Sequence, residues 1–218
     1  MKFGEKIHLD IWGLANPQSF NAKEYFVTFI NDHNRWTYLV LMAKKSEALG
    51  CYKQYEAWAE MQHGAKIKEL RTEHRGEYLS HEFTEHLKSK GMVRNLTIHD
   101  MLEENGMSEC LNRTLLEHAW AMHLTVGLPK FLWTELVQHA VWLKNCTSMC
   151  ALNGKTLYEL VHGMRPDLTD LLEWGARVFI LKEYQGKIDP KADEGRWVGC
   201  SYESKGHRVY WPGKCTSQ

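Results

Sequence analysis

Three carboxylates in this sequence stand where a metal site could be built. Asp10 interrupts the alternating stretch KIHLDIW (6–12), Glu73 stands where the run AKIKELR gives way to a loop, and Glu109 lies in ENGMSECLNRTLLE (104–117). Each has an ordinary explanation: a solvated acid on the polar face of an edge strand, a surface residue, and an acid answering the dipole near a helix start. Together they describe something more specific. If the first and fourth strands are neighbours in one sheet, Asp10 and Glu73 approach each other, and two unpaired carboxylates raise each other's pKa. A divalent cation removes that repulsion. Hard Mg²⁺ prefers carboxylate oxygen and keeps waters, and two ions about 3.5–4 Å apart can clamp the attacking and leaving oxygens of a phosphodiester.

The elements that must position these acids follow from periodicity. In KIHLDIW, Ile7, Leu9 and Ile11 fall on one face, with His8 and Asp10 on the other. EYFVTFI (24–30) and RWTYLVLM (35–42) flank the turn NDHN and read as a hairpin. A helix follows, with Ser46 as its expected N-cap. Then come the strand AKIKELR, a helix over 81–91 ending at Gly91, and the strand VRNLTI (93–98). From Glu104 to Val126 the pattern is helical, with Met107, Leu111, Leu115 and Ala119 at intervals of four. A second long helix is expected over 130–145 and a short one over 156–163. The order is β-β-β-α-β-α-β-α-α, with Glu109 on the helix after the fifth strand. Beyond Pro166 the runs ARVFIL, GRWVGCS and HRVYW predict a small β-barrel or β-sandwich. Two domains are therefore expected, 1–168 and 174–218. Trp12, Trp36, Trp120, Trp133 and Trp142 read as core residues.

Composition excludes some classes. Lys plus Arg equals Asp plus Glu at 27 each, so no global basic field announces nucleic acid. Residues 174–218 nevertheless carry eight Lys/Arg against five acids. The six cysteines form no C-x-x-C pair or zinc-finger spacing, which predicts free thiols in a reducing compartment. MKFGEKIHLD has no apolar signal region, so a nuclear or cytoplasmic rather than secreted protein is expected. No apolar run is long enough to span a membrane.

Several collinear blocks carry a resemblance. HLDIWG (8–13), YFVTFINDHNRWTYLVLMAKKSEAL (25–49), LRTEHRGEY (70–78), ENGMSECLNRTLLE (104–117), GLPKFLWTE (127–135) and GKTLYELVHGMRPDL (154–168) resemble the integrase of copia-type LTR retrotransposons, in the retroviral integrase superfamily. VFILKEYQGKIDPKADEGRWVGCSYESKGHRVYWP (178–212) resembles the SH3-like domain that follows the core in that family. The resemblance implies an α/β, ribonuclease-H-like mixed five-stranded sheet flanked by helices, followed by a small all-β SH3-like domain, expected to be truncated. It implies that Asp10, Glu73 and Glu109 are catalytic residues and metal ligands for Mg²⁺ or Mn²⁺. It further implies processing and joining of DNA ends, DNA as partner, and a homo-oligomer. Asn105, Asn112 and Arg113, with Lys187 and Arg208 from the C-terminal domain, are the expected nucleic-acid contacts. For Arg113 a surface ion pair with Glu109 or Glu117 is an equal expectation, and for the C-terminal basic residues a solvated surface is the alternative.

The sequence departs from the family pattern at the site. The triad reads Asp-Glu-Glu rather than Asp-Asp-Glu. Thr72-Glu73-His74-Arg75-Gly76-Glu77-Tyr78 stands where the family reads Ser-Asp-Asn-Gly-Gly-Glu-Tyr. Glu73 pushes its carboxylate outward by a methylene, and a catalytic group misplaced by about 1 Å can cost roughly 10²-fold. His99-Asp100-Met101-Leu102-Glu103-Glu104 replaces a proline-containing loop, Cys110 a usual Arg, and Ser148 a usual Pro. The family's N-terminal zinc-binding domain and long C-terminal tail are expected to be missing. These departures imply a copy that keeps the fold better than the site. Three expectations stand: a metal-dependent polynucleotidyl transferase, a non-catalytic nucleic-acid-binding or oligomerisation relic, and a ribonuclease acting on hybrids.

Overall fold

The computed structural model describes residues 3–72, 80–96, 102–182, 191–200, 206–213 and 216–217, with backbone alone for 102–105, 151, 216 and 217. Strands β1 (Lys6–Gly13), β2 (Tyr25–Asn31), β3 (Thr37–Met42), β4 (Glu69–Thr72) and β5 (Val93–Leu96) form one sheet in the order β3-β2-β1-β4-β5. The β1–β2 and β2–β3 pairs are antiparallel, whereas β4 runs parallel to both β1 and β5. The hairpin forms as the sequence predicts. β1 is central, which overturns the reading of Asp10 as a solvated acid on an edge strand. The ladder of β4 starts at Glu69, later than the pattern predicts, because the amides of Lys68 and Glu69 both donate to the Glu5 carbonyl as the chain arrives.

Alternation divides the sheet into two faces. Ile7, Leu9, Ile11, Val27 and Phe29 point to α1 (Ala48–His63) and α2 (His81–Ser89), where they meet Tyr52, Tyr55, Ala59, Phe83 and Leu87. Phe29 stacks on Tyr55 at 4.5 Å. Ser46 is not the N-cap of α1: it lies in a 3₁₀ turn, Lys45–Glu47, and Glu47 precedes the helix, its carboxylate accepting from the amides of Ala43 and Lys44. The opposite face carries Asp10, Trp12, Phe26 and Thr28 towards α3 (Leu102–Val126) and α4 (Trp133–Cys146). Trp36 is buried as predicted, whereas Trp120 is 51% exposed on the outer side of α3.

After the short α5 (Leu157–His162), strands β6 (Arg177–Leu181), β7 (Ala192–Cys200), β8 (His207–Trp211) and β9 (Thr216–Ser217) form a four-stranded antiparallel sheet in chain order. This sheet shares a core with the first. Trp197 and Val198 of β7 and Trp174 pack with Leu136 and Val137 of α4 and with Phe26 of β2. Trp174 Nε1 donates to the Val198 carbonyl at 3.2 Å. Arg208 on β8 reaches back to α4, placing its guanidinium 2.7 Å from Glu135 and 2.7 Å from Gln138 Oε1. Burial raises the Glu135 pKa despite that guanidinium, so the pair fixes the junction more than it stabilises it.

His139 on α4 lies at the same junction, its ring 5.2 Å from Trp197 and perpendicular to it. Burial lowers its pKa to about 4. The unfolded chain then binds the extra proton first, so stability falls as pH drops from about 6.5 towards 4. A shift of this size corresponds to at most about 3 kcal/mol. His139→Phe is expected to flatten the pH dependence of urea unfolding across this window; an unchanged slope assigns the acid sensitivity elsewhere.

Candidate active site

Asp10 is 6% exposed in the middle of the central strand. An ionised carboxylate there requires donors, and one comes from α3: Asn112 Nδ2 donates to Asp10 Oδ2 at 2.7 Å. The strand register supplies the next member. Thr28 on β2 lies directly opposite Asp10, and its hydroxyl donates to Asn112 Oδ1 at 3.1 Å. The same hydroxyl is 3.4 Å from the Asp10 carbonyl. One proton serves the shorter contact. With Oδ1 taken by Thr28, the amide must present its nitrogen to Asp10; the flipped amide would set oxygen against oxygen. Thr28, Asn112 and Asp10 thus form a directional relay, all three nearly fully buried.

Glu109 lies three residues before Asn112 on α3 and is exposed. Residues three apart are neighbours on a helix, so Glu109 stands on the turn beside the residue that touches Asp10. The hairpin turn steadies this end of α3. His8, on the Asp10 face of β1, pairs with Asp32 at 2.8 Å; Asp32 also pairs with Arg35 at 2.9 Å, and Arg35 contacts the sulfur of Met107. Burial lowers the His8 pKa, while the imidazole and the Arg35 guanidinium outweigh burial to lower that of Asp32. On the other side, β4 pairs with β1 up to Leu9 opposite Thr72. Glu73 is the next residue and lies outside the described residues. Among the described residues no group of three His, Cys, Asp or Glu is placed to hold a metal ion. Asp10 and Glu109 are hard oxygen donors of the kind that suits Mg²⁺ or Mn²⁺.

The chain has known counterparts in sequence and in fold. Residues 176–216 match the retroviral polymerase SH3-like domain family. Over 210 residues, 95% of the chain, the sequence is 30% identical to the retrovirus-related Pol polyprotein from transposon TNT 1-94 of Nicotiana tabacum. It is 24% identical over 210 residues to the transposon Ty1-DR6 Gag-Pol polyprotein of Saccharomyces cerevisiae. The chain spans 16% and 12% of the lengths of those two relatives. In fold it is similar to the HTLV-2 integrase catalytic core domain, solved in complex with magnesium in a trimeric form, at TM-score 0.54 and 14% identity over 73% of this chain and 97% of that one. It is also similar to a chain of the simian T-cell lymphotropic virus intasome in complex with the PP2A regulatory subunit B56 gamma, at TM-score 0.59 and 16% identity over 99% and 75% of the two chains.

In sequence the chain is thus similar to retrotransposon Pol polyproteins over nearly its whole length, and in fold to a retroviral integrase core. The residues expected to touch nucleic acid divide. Asn112 is buried on Asp10 rather than turned to a ligand, because the carboxylate needs its donor. Arg208 places its guanidinium on Glu135 and Gln138. Its basic neighbours are engaged too: Lys182 pairs with Asp193 at 2.7 Å and Arg196 donates to the Gly175 carbonyl at 3.2 Å. Arg113 is exposed on α3, with its guanidinium 3.8 Å from Cys110 Sγ. Lys187 and the Asn105 side chain lie outside the described residues. Sequence reasoning passed over Thr28. Its signal is a single hydroxyl at the centre of YFVTFI, in register with Asp10.

Thr28→Val keeps the shape but leaves Asn112 Oδ1 without a donor, and is expected to cost about 1–3 kcal/mol. Thr28→Ser should retain most of the stability. Urea unfolding of the two variants checks the relay; equal losses would show that shape rather than the hydroxyl matters.

Proposed function

We propose that this chain is the catalytic segment of an integrase that processes DNA ends and joins them to target DNA with a divalent cation, Mg²⁺ or Mn²⁺. The observation that carries the reading is the buried Asp10 carboxylate, oriented by Asn112 and Thr28 beside the helical turn of Glu109. Asp10, Glu109 and Glu73 would hold the cation. When bound, it supplies charge neutralisation and Lewis-acid polarisation at a phosphodiester. The residues of this chain do the rest. Asn112 holds one carboxylate oxygen in place, so the position of Asp10 is set before DNA arrives. Glu109, exposed, meets the substrate side. Arg113, one turn along, is an exposed cation available to a phosphate. DNA is the partner, the working unit is a homo-oligomer, and the site of action is nuclear or cytoplasmic.

A second reading, a relic that binds DNA or oligomerises without chemistry, is favoured by one residue: Glu73 in place of the shorter acid. The two readings separate in a single set of measurements. Mn²⁺ or Mg²⁺ is expected to raise the melting temperature by several degrees in the unmodified chain and not in Asp10→Asn, since a ligand at 100 times its Kd stabilises by about 2.7 kcal/mol. A fluorescent duplex end is expected to be nicked or joined in the presence of metal, and faster by Glu73→Asp. Metal stabilisation without turnover, even in Glu73→Asp, selects the relic. No stabilisation by either metal overturns the metal site.

A further inference from the structure

An apolar hollow opens between α3, α4 and the loop after β1, enclosing with its open mouth about 520 Å³. Trp12, Leu116, Trp120 and Trp133 form walls, and His123 and the exposed Lys130 complete the lining. Its position follows from the site. Trp12 is two residues beyond Asp10 on the same strand face, about 6.6 Å along β1. Leu116 is four residues beyond Asn112, about 6 Å along α3. The hollow therefore starts within the reach of one nucleotide from a phosphate held at Asp10.

Its chemistry narrows the occupant. Trp12 meets Trp133 edge-on at 5.8 Å, and Trp120 remains 51% exposed although it lines the hollow. Trp133 Nε1 and both ring nitrogens of His123 are buried without a partner among the described residues. A hydrocarbon chain would match the walls but make no use of the exposed Lys130 cation that lines the hollow. A nucleobase offers a flat face for indole stacking together with carbonyl oxygens and ring nitrogens. Lys130 adds a cation for the backbone that carries the base.

We propose that this hollow binds an unpaired nucleobase of the strand whose phosphate lies at Asp10, with Lys130 on the neighbouring phosphate. The proposal rests on the DNA-processing reading above. The test compares two probes on the full chain, a fluorescent single-stranded oligothymidylate and the same backbone lacking bases. The oligothymidylate is expected to bind about tenfold more tightly and to quench tryptophan fluorescence. Trp120→Ala, at a half-exposed position, should abolish that preference without weakening the base-free strand. Lys130→Ala should weaken both strands. Equal affinity for the two strands, or a preference untouched by Trp120→Ala, overturns the nucleobase site. If that happens while metal still stabilises the unmodified chain and not Asp10→Asn, the active-site reading survives alone. Failure of both strands to bind likewise overturns the nucleobase site, and the metal measurement decides the active-site reading separately.

Discussion

A carboxylate in the middle of a central strand is the constraint around which this structure is arranged. Asp10 cannot be ionised and buried without donors. Packing α3 across β1 and β2 provides one through Asn112, and Thr28 fixes which way the amide faces. The path of α3 is therefore tied to the chemistry. Asn112 meets Asp10, Glu109 precedes it by three residues, and the hollow follows it along the same helix.

The junction between α4 and the second sheet solves a similar problem differently. Glu135 is buried at the junction of α4 and the second sheet, and there the donor is a full cation, Arg208. An amide lets a carboxylate keep its charge for an incoming ligand. A guanidinium neutralises the charge on the spot and holds two layers in register. Position and partner, rather than the acid itself, separate a site from a strut.

Much of this was legible in the sequence. The element order, the inward face Ile7-Leu9-Ile11 and the placement of Asp10 on the other face follow from periodicities of two and 3.6, which are local properties. Glu109 on the helix after the fifth strand follows in the same way. Partner choice was not legible. Asn112 and Arg208 each looked like a side chain for DNA, because a polar residue near a site reads as a ligand until the buried acid it serves is located. Those acids lie 102 and 73 residues away in sequence. Trp120 misled for a related reason: an aromatic residue in a helical pattern reads as core, and only the packing of α3 shows that its ring stays half outside. Ser46 carried the chemistry of a cap, but Glu47 holds the turn.

The core shared through Trp174 and Trp197 has a consequence for how the chain comes apart. Residues 163–176 look like a linker, yet the sheet beyond them hides two indoles against α4 and β2. Peeling it away would bare those rings, the buried His139 and the unpaired Glu135 at once. Two sheets of separate topology are thus expected to melt as one cooperative unit.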